Sequence, residues 1–206
     1  FKYAYRDEGM YTPFGAVLGI AQLTGFLIFP LFRRRFSRRT PYSAATATIV
    51  AGYLLFFFAP MNMIWIGAAG LMIFMGQAFV VLLMLVFITD CIEYGHWKLG
   101  NRNAAVTFAL QPFINKVGAA LATQVVSVVV IVSGINSAAT PADVSDNGLL
   151  LMRMTMLVFP LVLIVAGYLI YRAKYRIDET FYARIISDLT ERGQLTTDQG
   201  IAAKAD

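Results

Sequence analysis

Residues 89–121 read TDCIEYGHWKLGNRNAAVTFALQPFINKVGAAL, and this arrangement decides the fold. A polar, charged segment from Asp90 to Arg102 lies between two long apolar runs, and one lysine, Lys116, stands well inside the second run. A charged hairpin of this kind belongs on one face of a membrane. A lysine part-way along an apolar helix must be held by something inside the protein, because lipid tails cannot solvate it.

Working outward, hydrophobic residues make up 58% of the 206 residues and charged residues 14%, and mean hydropathy is +0.65. Few water-soluble domains show that balance. Residues 11–32 carry no charge, nor do residues 40–89. At about 20 residues per crossing, the longer run holds two spans and a tight turn. The interruption Ala59-Pro60-Met61-Asn62 places that turn. Five spans are expected, at about 11–32, 41–59, 64–89, 104–134 and 148–171. Apolar residues cover every face of each segment rather than one stripe, and no period-2 alternation marks a β-barrel. The expected fold class is all-α, a polytopic transmembrane helical bundle. Residues 1–10 read as the external end of a preceding helix and its loop, 11–174 as the five spans, and 175–206 as a cytoplasmic tail with a short amphipathic helix.

Lysine and arginine set the orientation. One side receives Arg33, Arg34, Arg35, Arg38 and Arg39, then Lys98 and Arg102, then Arg172, Lys174, Arg176, Arg184, Arg192 and Lys204. The other receives Lys2 and Arg6, a split of 13 against 2. Basic loops stay in the cytoplasm, so the expected location is the cell (inner) membrane with a cytoplasmic carboxyl terminus. The net charge of +5 then reflects topology. Its partners are anionic lipid headgroups, not nucleic acid. A start at Phe1 on a polar decapeptide implies at least one further helix upstream, so the sequence reads as a fragment. With one cysteine, Cys91, no disulfide forms within the chain. The lone His96, beside Trp97 and Lys98, reads as a headgroup-level loop residue. No nucleophile–base pair, metal-ligand cluster or glycine-rich phosphate loop is present, so neither an enzyme nor a cofactor or metal is expected.

Within the spans, Lys116 shares a helix face with Thr123 and Ser127, with Ala119 and Ala120 between them. Thr107, Gln111 and Asn115 lie on a neighbouring or opposite arc, and Pro112 loosens the helix just before the lysine. Two readings of Lys116 stand: it lines a water-filled path, or it pairs structurally with an acid on another helix. Arg153, near an external helix end, reads as a snorkelling anchor. Gly15, Gly19 and Gly25 read as close-packing positions. Gln22, Thr24 and Gln77 face a lumen or bond to a neighbouring helix. Phe56, Phe57, Phe58, Trp65 and Trp97 read as interface belts.

DCIEYGHWKLGNR followed by FALQPFINKVGAAL resembles the signature of the glycoside–pentoside–hexuronide:cation symporters, the melibiose, lactose and raffinose permease-like group of the major facilitator fold. The likeness covers essentially the whole chain, as helices eight to twelve, part of the carboxy-terminal half. The family's loop between helices ten and eleven is matched here by Asp90, Glu93, Tyr94, Gly95, Trp97, Lys98, Gly100 and Arg102. Its helix-eleven lysine matches Lys116, with Gln111 five residues earlier. The tail YRAKYRIDETFYARIISDLTERG resembles the family's closing segment, and ITDCIEYG with ATPADVSDNG leans toward the lactose and raffinose carriers. Two departures stand out. Asn103 and Ala104 occupy positions where many relatives carry an acid, and Phe79-Val80-Val81 replaces a stacking tryptophan found in some galactoside carriers.

The resemblance implies sugar:cation symport by alternating access. Lys116, with Gln111 and Thr123, would bind substrate, and the segment holding Asp90, Glu93, Tyr94, Gly95, Trp97, Lys98 and Arg102 would form part of an inner gate. The coupling cation, H⁺ or Na⁺, would be held mainly by the amino-terminal half of the transporter. That half, a small sugar and membrane lipid are the implied partners. A carrier of lipid or organic anion on the same fold, and a scaffold subunit that transports nothing, are the other readings.

Overall fold

A computed structural model describes residues 9–35, 39–60, 62–137 and 144–195. The expected external segment at 1–10 therefore lies almost wholly outside the described residues, as do the end of the tail and most of the ATPADVSDNG stretch. Among the described residues the chain is helical throughout: α1 (Tyr11–Arg35), α2 (Arg39–Phe58), α3 (Met63–Leu99), α4 (Ala104–Val132), α5 (Asp146–Arg153), α6 (Phe159–Lys174) and α7 (Glu179–Glu191). A π-turn, Met154–Val158, joins α5 and α6 into one span. Five helices are thus long and apolar enough to cross a membrane.

The main correction to the sequence reading concerns α3. It does not stop near residue 89 but continues for ten residues to Leu99, so Asp90 to Lys98 are helical and the turn is only Gly100–Asn103. The physical reason is visible locally. Nothing between Thr89 and Leu99 breaks a helix, and Asp90, Glu93 and His96 recur every three residues on one buried face. Gly100 is the stop. Its φ of 74° lies in the left-handed region that side chains resist, and its N–H donates to the His96 carbonyl. At the other end, the Asn62 side chain accepts from the Ile64 N–H at 2.9 Å, capping the first turn.

α1 and α2 lie against α3 at close range. A Cβ on Gly25 would sit 2.7 Å from the Ala78 Cβ, and one on Gly76 would sit 2.6 Å from Ile49 and 2.9 Å from the Ala45 carbonyl. Only hydrogen fits there, the small-residue packing that lets membrane helices approach. Gly15 and Gly19, by contrast, have nothing within 4 Å among the described residues, so of the three α1 glycines only Gly25 makes the expected close approach, while Phe14 and Leu18 of α1 crowd Gly70 of α3. Phe29 and Phe32 meet Phe79 edge-on at 5.5 Å.

The last span closes the bundle at both ends. Arg153 donates to the Phe57 carbonyl at 2.9 Å and lies over the Phe57 ring, so it satisfies the open carboxyl end of α2 instead of reaching only outward. The π-turn begins immediately after it. Phe159 bonds back five residues to Met154, and Pro160 follows, having no N–H to sustain the tighter α pattern. On the opposite side Phe87, Tyr171 and Tyr175 stack, and Tyr42 meets Phe87 edge-on and Tyr171 at a tilt, in one aromatic cluster. Asp178 then caps α7 through the Phe181 N–H, and Ile177, Tyr182, Ile185, Ile186 and Leu189 bury one face of α7 against the projecting end of α3.

Candidate functional site

The projecting end of α3 carries a cluster of paired polar groups. Asp90 is 1% exposed and Glu93 4%, a burial that carboxylates tolerate only with partners. The Tyr175 hydroxyl donates to Asp90 Oδ2 at 2.6 Å. Burial first, and this hydrogen bond second, push the Tyr175 phenol far above the ordinary tyrosine range, so it remains a donor. Arg102 donates twice to Glu93 Oε1, at 2.7 and 3.2 Å, closing the α3–α4 turn. Glu93 Oε2 and His96 Nδ1 are buried with no hydrogen-bond partner among the described residues. Buried on the helix, His96 is not the loop residue its neighbours suggested.

The remaining signature residues hold α7. Trp97 Nε1 donates to Asp188 Oδ2 at 2.8 Å, and Arg192 donates to the Trp97 carbonyl at 3.2 Å. Tyr94 and Trp97 pack on Phe181, while Lys98 lies over the Tyr94 ring and donates to its hydroxyl at 3.4 Å. Gly95 lies half-buried on the same helix. Trp97 is therefore a docking residue for α7 and not part of an interface belt. The structure unites Glu93 with Arg102, but it does not pair Asp90 with Lys98 across a hairpin. Asp90 bonds instead to a tyrosine 85 residues away. Sequence reading missed Tyr175 and Asp188. The only signal for them was the amphipathic period of the tail.

α4 carries the other candidate residues. Lys116 and Thr123 are exposed. The Thr123 hydroxyl donates to the Ala119 carbonyl and that of Ser127 to the Thr123 carbonyl, both at 2.9 Å. Lys116 has no ion-pair partner among the described residues, so no acid on the described helices serves as its structural counter-charge. Gln111 belongs elsewhere. With Thr107 and Asn115 it lines an open cleft of about 380 Å³ shared with Phe87 and Cys91 of α3 and with Tyr171 and Tyr175. Five residues at about 100° each put Lys116 roughly 140° round the helix from Gln111. The structure therefore brings Lys116, Thr123 and Ser127 onto one arc and leaves Gln111 on the other side.

Comparison with known proteins agrees with this architecture. Residues 1–179 match the family model described as MFS/sugar transport protein. The raffinose carrier protein of Pediococcus pentosaceus is 30% identical over 176 residues, covering 84% of this chain and 28% of that protein. The lactose permease of Lactobacillus helveticus is 32% identical over 176 residues, covering 84% of this chain and 27% of the permease. That of Leuconostoc lactis is 27% identical over 189 residues, covering 92% and 29%. The chain thus spans less than a third of the length of these relatives.

Proposed function

Because the chain belongs to the MFS/sugar transport protein family, we propose that it is the carboxy-terminal part of a sugar:cation symporter, carrying a glycoside of galactoside type inward with H⁺ or Na⁺. Relatives named as a raffinose carrier and lactose permeases support the cargo. The observation that carries the proposal is Lys116, a cation in mid-span on an exposed arc of α4, free of any acid on the described helices. Such a group costs about 2.5–3.5 kcal/mol to insert. Facing a water-filled pathway lowers that cost and gives the charge work to do.

In this reading the Lys116 ammonium donates to sugar hydroxyls or to a carboxylate of the cation site. Thr123 keeps acceptor capacity after donating to Ala119. The amino-terminal half supplies the opposite wall, and rocking of the halves exposes the site to each side in turn. The end of α3 forms part of the inner gate, with Glu93 held by Arg102 across the α3–α4 turn.

Uptake of a labelled galactoside by vesicles bearing the full-length protein tests the role of Lys116. Lys116→Met and Lys116→Arg are both expected to insert and fold but to lose concentrative uptake, since a planar guanidinium does not replace a compact ammonium in a fitted site. Near-normal accumulation by Lys116→Met overturns the assignment. Loss of folded protein in place of loss of transport assigns the lysine a structural role instead.

A further inference from the structure

We propose that α7 positions the inner gate: Asp188 and Arg192 fix Trp97, and through it they hold the α3–α4 turn at which Glu93 meets Arg102. The proposal rests on the reading of the end of α3 as part of that gate. At its carboxyl end a helix leaves carbonyls with no partner of their own, and such an end frays in water. The last turn of α3 carries His96 and Lys98 and lies beyond the apolar part of the span, so it needs support from elsewhere. α7 gives that support twice at one residue. Arg192 donates to the Trp97 carbonyl at 3.2 Å, which also sets a cation at the negative end of the α3 dipole. Asp188 Oδ2 accepts from Trp97 Nε1 at 2.8 Å. Asp188 and Arg192 lie one helical turn apart, the Arg192 N–H donating to the Asp188 carbonyl, so a single stripe of α7 holds both the backbone and the side chain of Trp97.

α7 is itself firmly anchored. Ile185, Ile186 and Leu189 are fully buried, and Tyr94 and Trp97 of α3 pack against their cluster. An amphipathic helix beside a last span has the bilayer surface open to its apolar face, yet here that face is used on the tip of α3. Only Tyr175 to Asp178 separate α6 from α7, and in that link the Tyr175 hydroxyl donates to Asp90 at 2.6 Å. Asp90 and Trp97 are about two turns apart on one face of α3. Holding both fixes the rotation of the stretch between them, and Glu93 stands in that stretch. Arg102 donates twice to the single oxygen Glu93 Oε1, at 2.7 and 3.2 Å, a geometry that requires the Glu93 side chain to point at the turn. Asp188 acts on this pair through Trp97, as a positioning residue.

The test uses the full-length protein in lipid vesicles. Asp188→Ala removes the acceptor for Trp97, whereas Asp188→Asn keeps one in its amide oxygen. In Asp188→Ala, hydrogen exchange of the backbone amides of residues 96–103 is expected to be about tenfold faster than in the parent, with residues 66–83 unchanged. Maximal galactoside uptake is expected to fall several-fold while galactoside affinity stays within about twofold, and Asp188→Asn is expected to recover most of both losses. If Asp188→Ala yields no folded protein, Trp97→Phe, which keeps a ring against Phe181 but has no donor, is read in the same way. Parent-like exchange in the turn overturns the proposal, since α7 then does not hold it. So do faster exchange with unchanged uptake, an uptake loss matched by an equal loss of affinity, and an Asp188→Asn protein no better than Asp188→Ala. A parent that takes up no galactoside ends the cargo reading instead, and the exchange measurement alone then decides whether α7 positions the turn.

Discussion

α3 and α4 are neighbours in sequence and opposites in how they use their surfaces. Ala69 and Ala78 of α3 are 0% exposed, and the helix is met by α1 and α2 at Gly25, Gly52, Gly70 and Gly76, where an added Cβ would fall within 3 Å of a neighbour. α4 buries Val129 alone among its 29 residues, and its Gly118 has nothing within 4 Å. The first helix is fixed by shape, contact by contact. The second presents a mixed surface, including a lysine and two hydroxyls, that packing with α1–α3 does not consume. In a membrane, small residues make lasting interfaces, whereas polar residues in mid-span mark pathways. In the proposed reading the contrast separates the scaffold from the working face.

The largest test of that contrast substitutes matched glycines in the full-length protein. Gly76→Leu drives a side chain into Ile49 and the Ala45 carbonyl and is expected to cost about 1–3 kcal/mol or more, with most folded protein lost on fluorescence-detected size exclusion. Gly118→Leu is expected to leave the folded yield within about 0.5 kcal/mol of the parent, while impairing transport. Equal yields would erase the distinction between the two helices.

Next in size is the cluster at the end of α3. Tyr175→Phe removes a hydrogen bond to a buried carboxylate, about 1.5–3 kcal/mol, and is expected to speed tryptic cleavage at the exposed Arg184 of α7 about tenfold. Asp90→Asn keeps an acceptor for Tyr175 but loses the charge. It is expected to slow transport more than it weakens sugar binding, and equal losses would remove the gate from the reading.

Labelling sharpens the same picture at smaller scale. In a Cys91→Ser background, a cysteine at Ser127 is expected to react with a small water-soluble thiol reagent several-fold faster than one at Ala78, and added galactoside is expected to slow it. Similar rates at the two positions would deny α4 an aqueous face. For orientation, a cysteine at the exposed Asn147 is expected to react with an impermeant reagent from outside, and one at Asn101 only after permeabilisation. The reverse pattern would invert the topology.

The smallest expected effect concerns pH. A tyrosine whose folded-state pKa is raised contributes stability that is fully present below its unfolded value, about 10, and is lost only as pH rises beyond it. Docking of α7 through Tyr175 is therefore expected to be flat from neutrality to about pH 9, then to weaken under more alkaline conditions. Tryptophan fluorescence of Trp97 in a Trp65→Phe background reports it, and a transition near neutrality would place another group in control.

Hydropathy is a bulk property, so the five apolar helices and the all-α fold class were legible before any coordinate. The extension of α3 was obscured because charge resembles a loop, although Asp90, Glu93 and His96 already kept a helical spacing and Gly100 was the first true stop. Glu93 and Arg102 lie nine residues apart, and the tight turn after Gly100 brings them together. Asp90 with Tyr175, and Trp97 with Asp188, depend on how the tail folds back, and no local pattern encodes that register. The glycine pair in α1 shows the converse failure. The motif is present at Gly15 and Gly19, yet the α1 glycine that meets another described helix is Gly25, about one turn and a half further on.

The 37 residues of α3 contain no proline, so the helix is a single rod about 55 Å long, nearly twice the thickness of the hydrocarbon layer. A tilt of about 10° about one end of such a rod carries the other on the order of 10 Å. With Tyr175, Trp97 and Asp188 joining α7 to its tip, α7 travels as the load on a lever. A slight rotation within the bilayer becomes a displacement of α7 about as long as two turns of helix beyond the bilayer's edge.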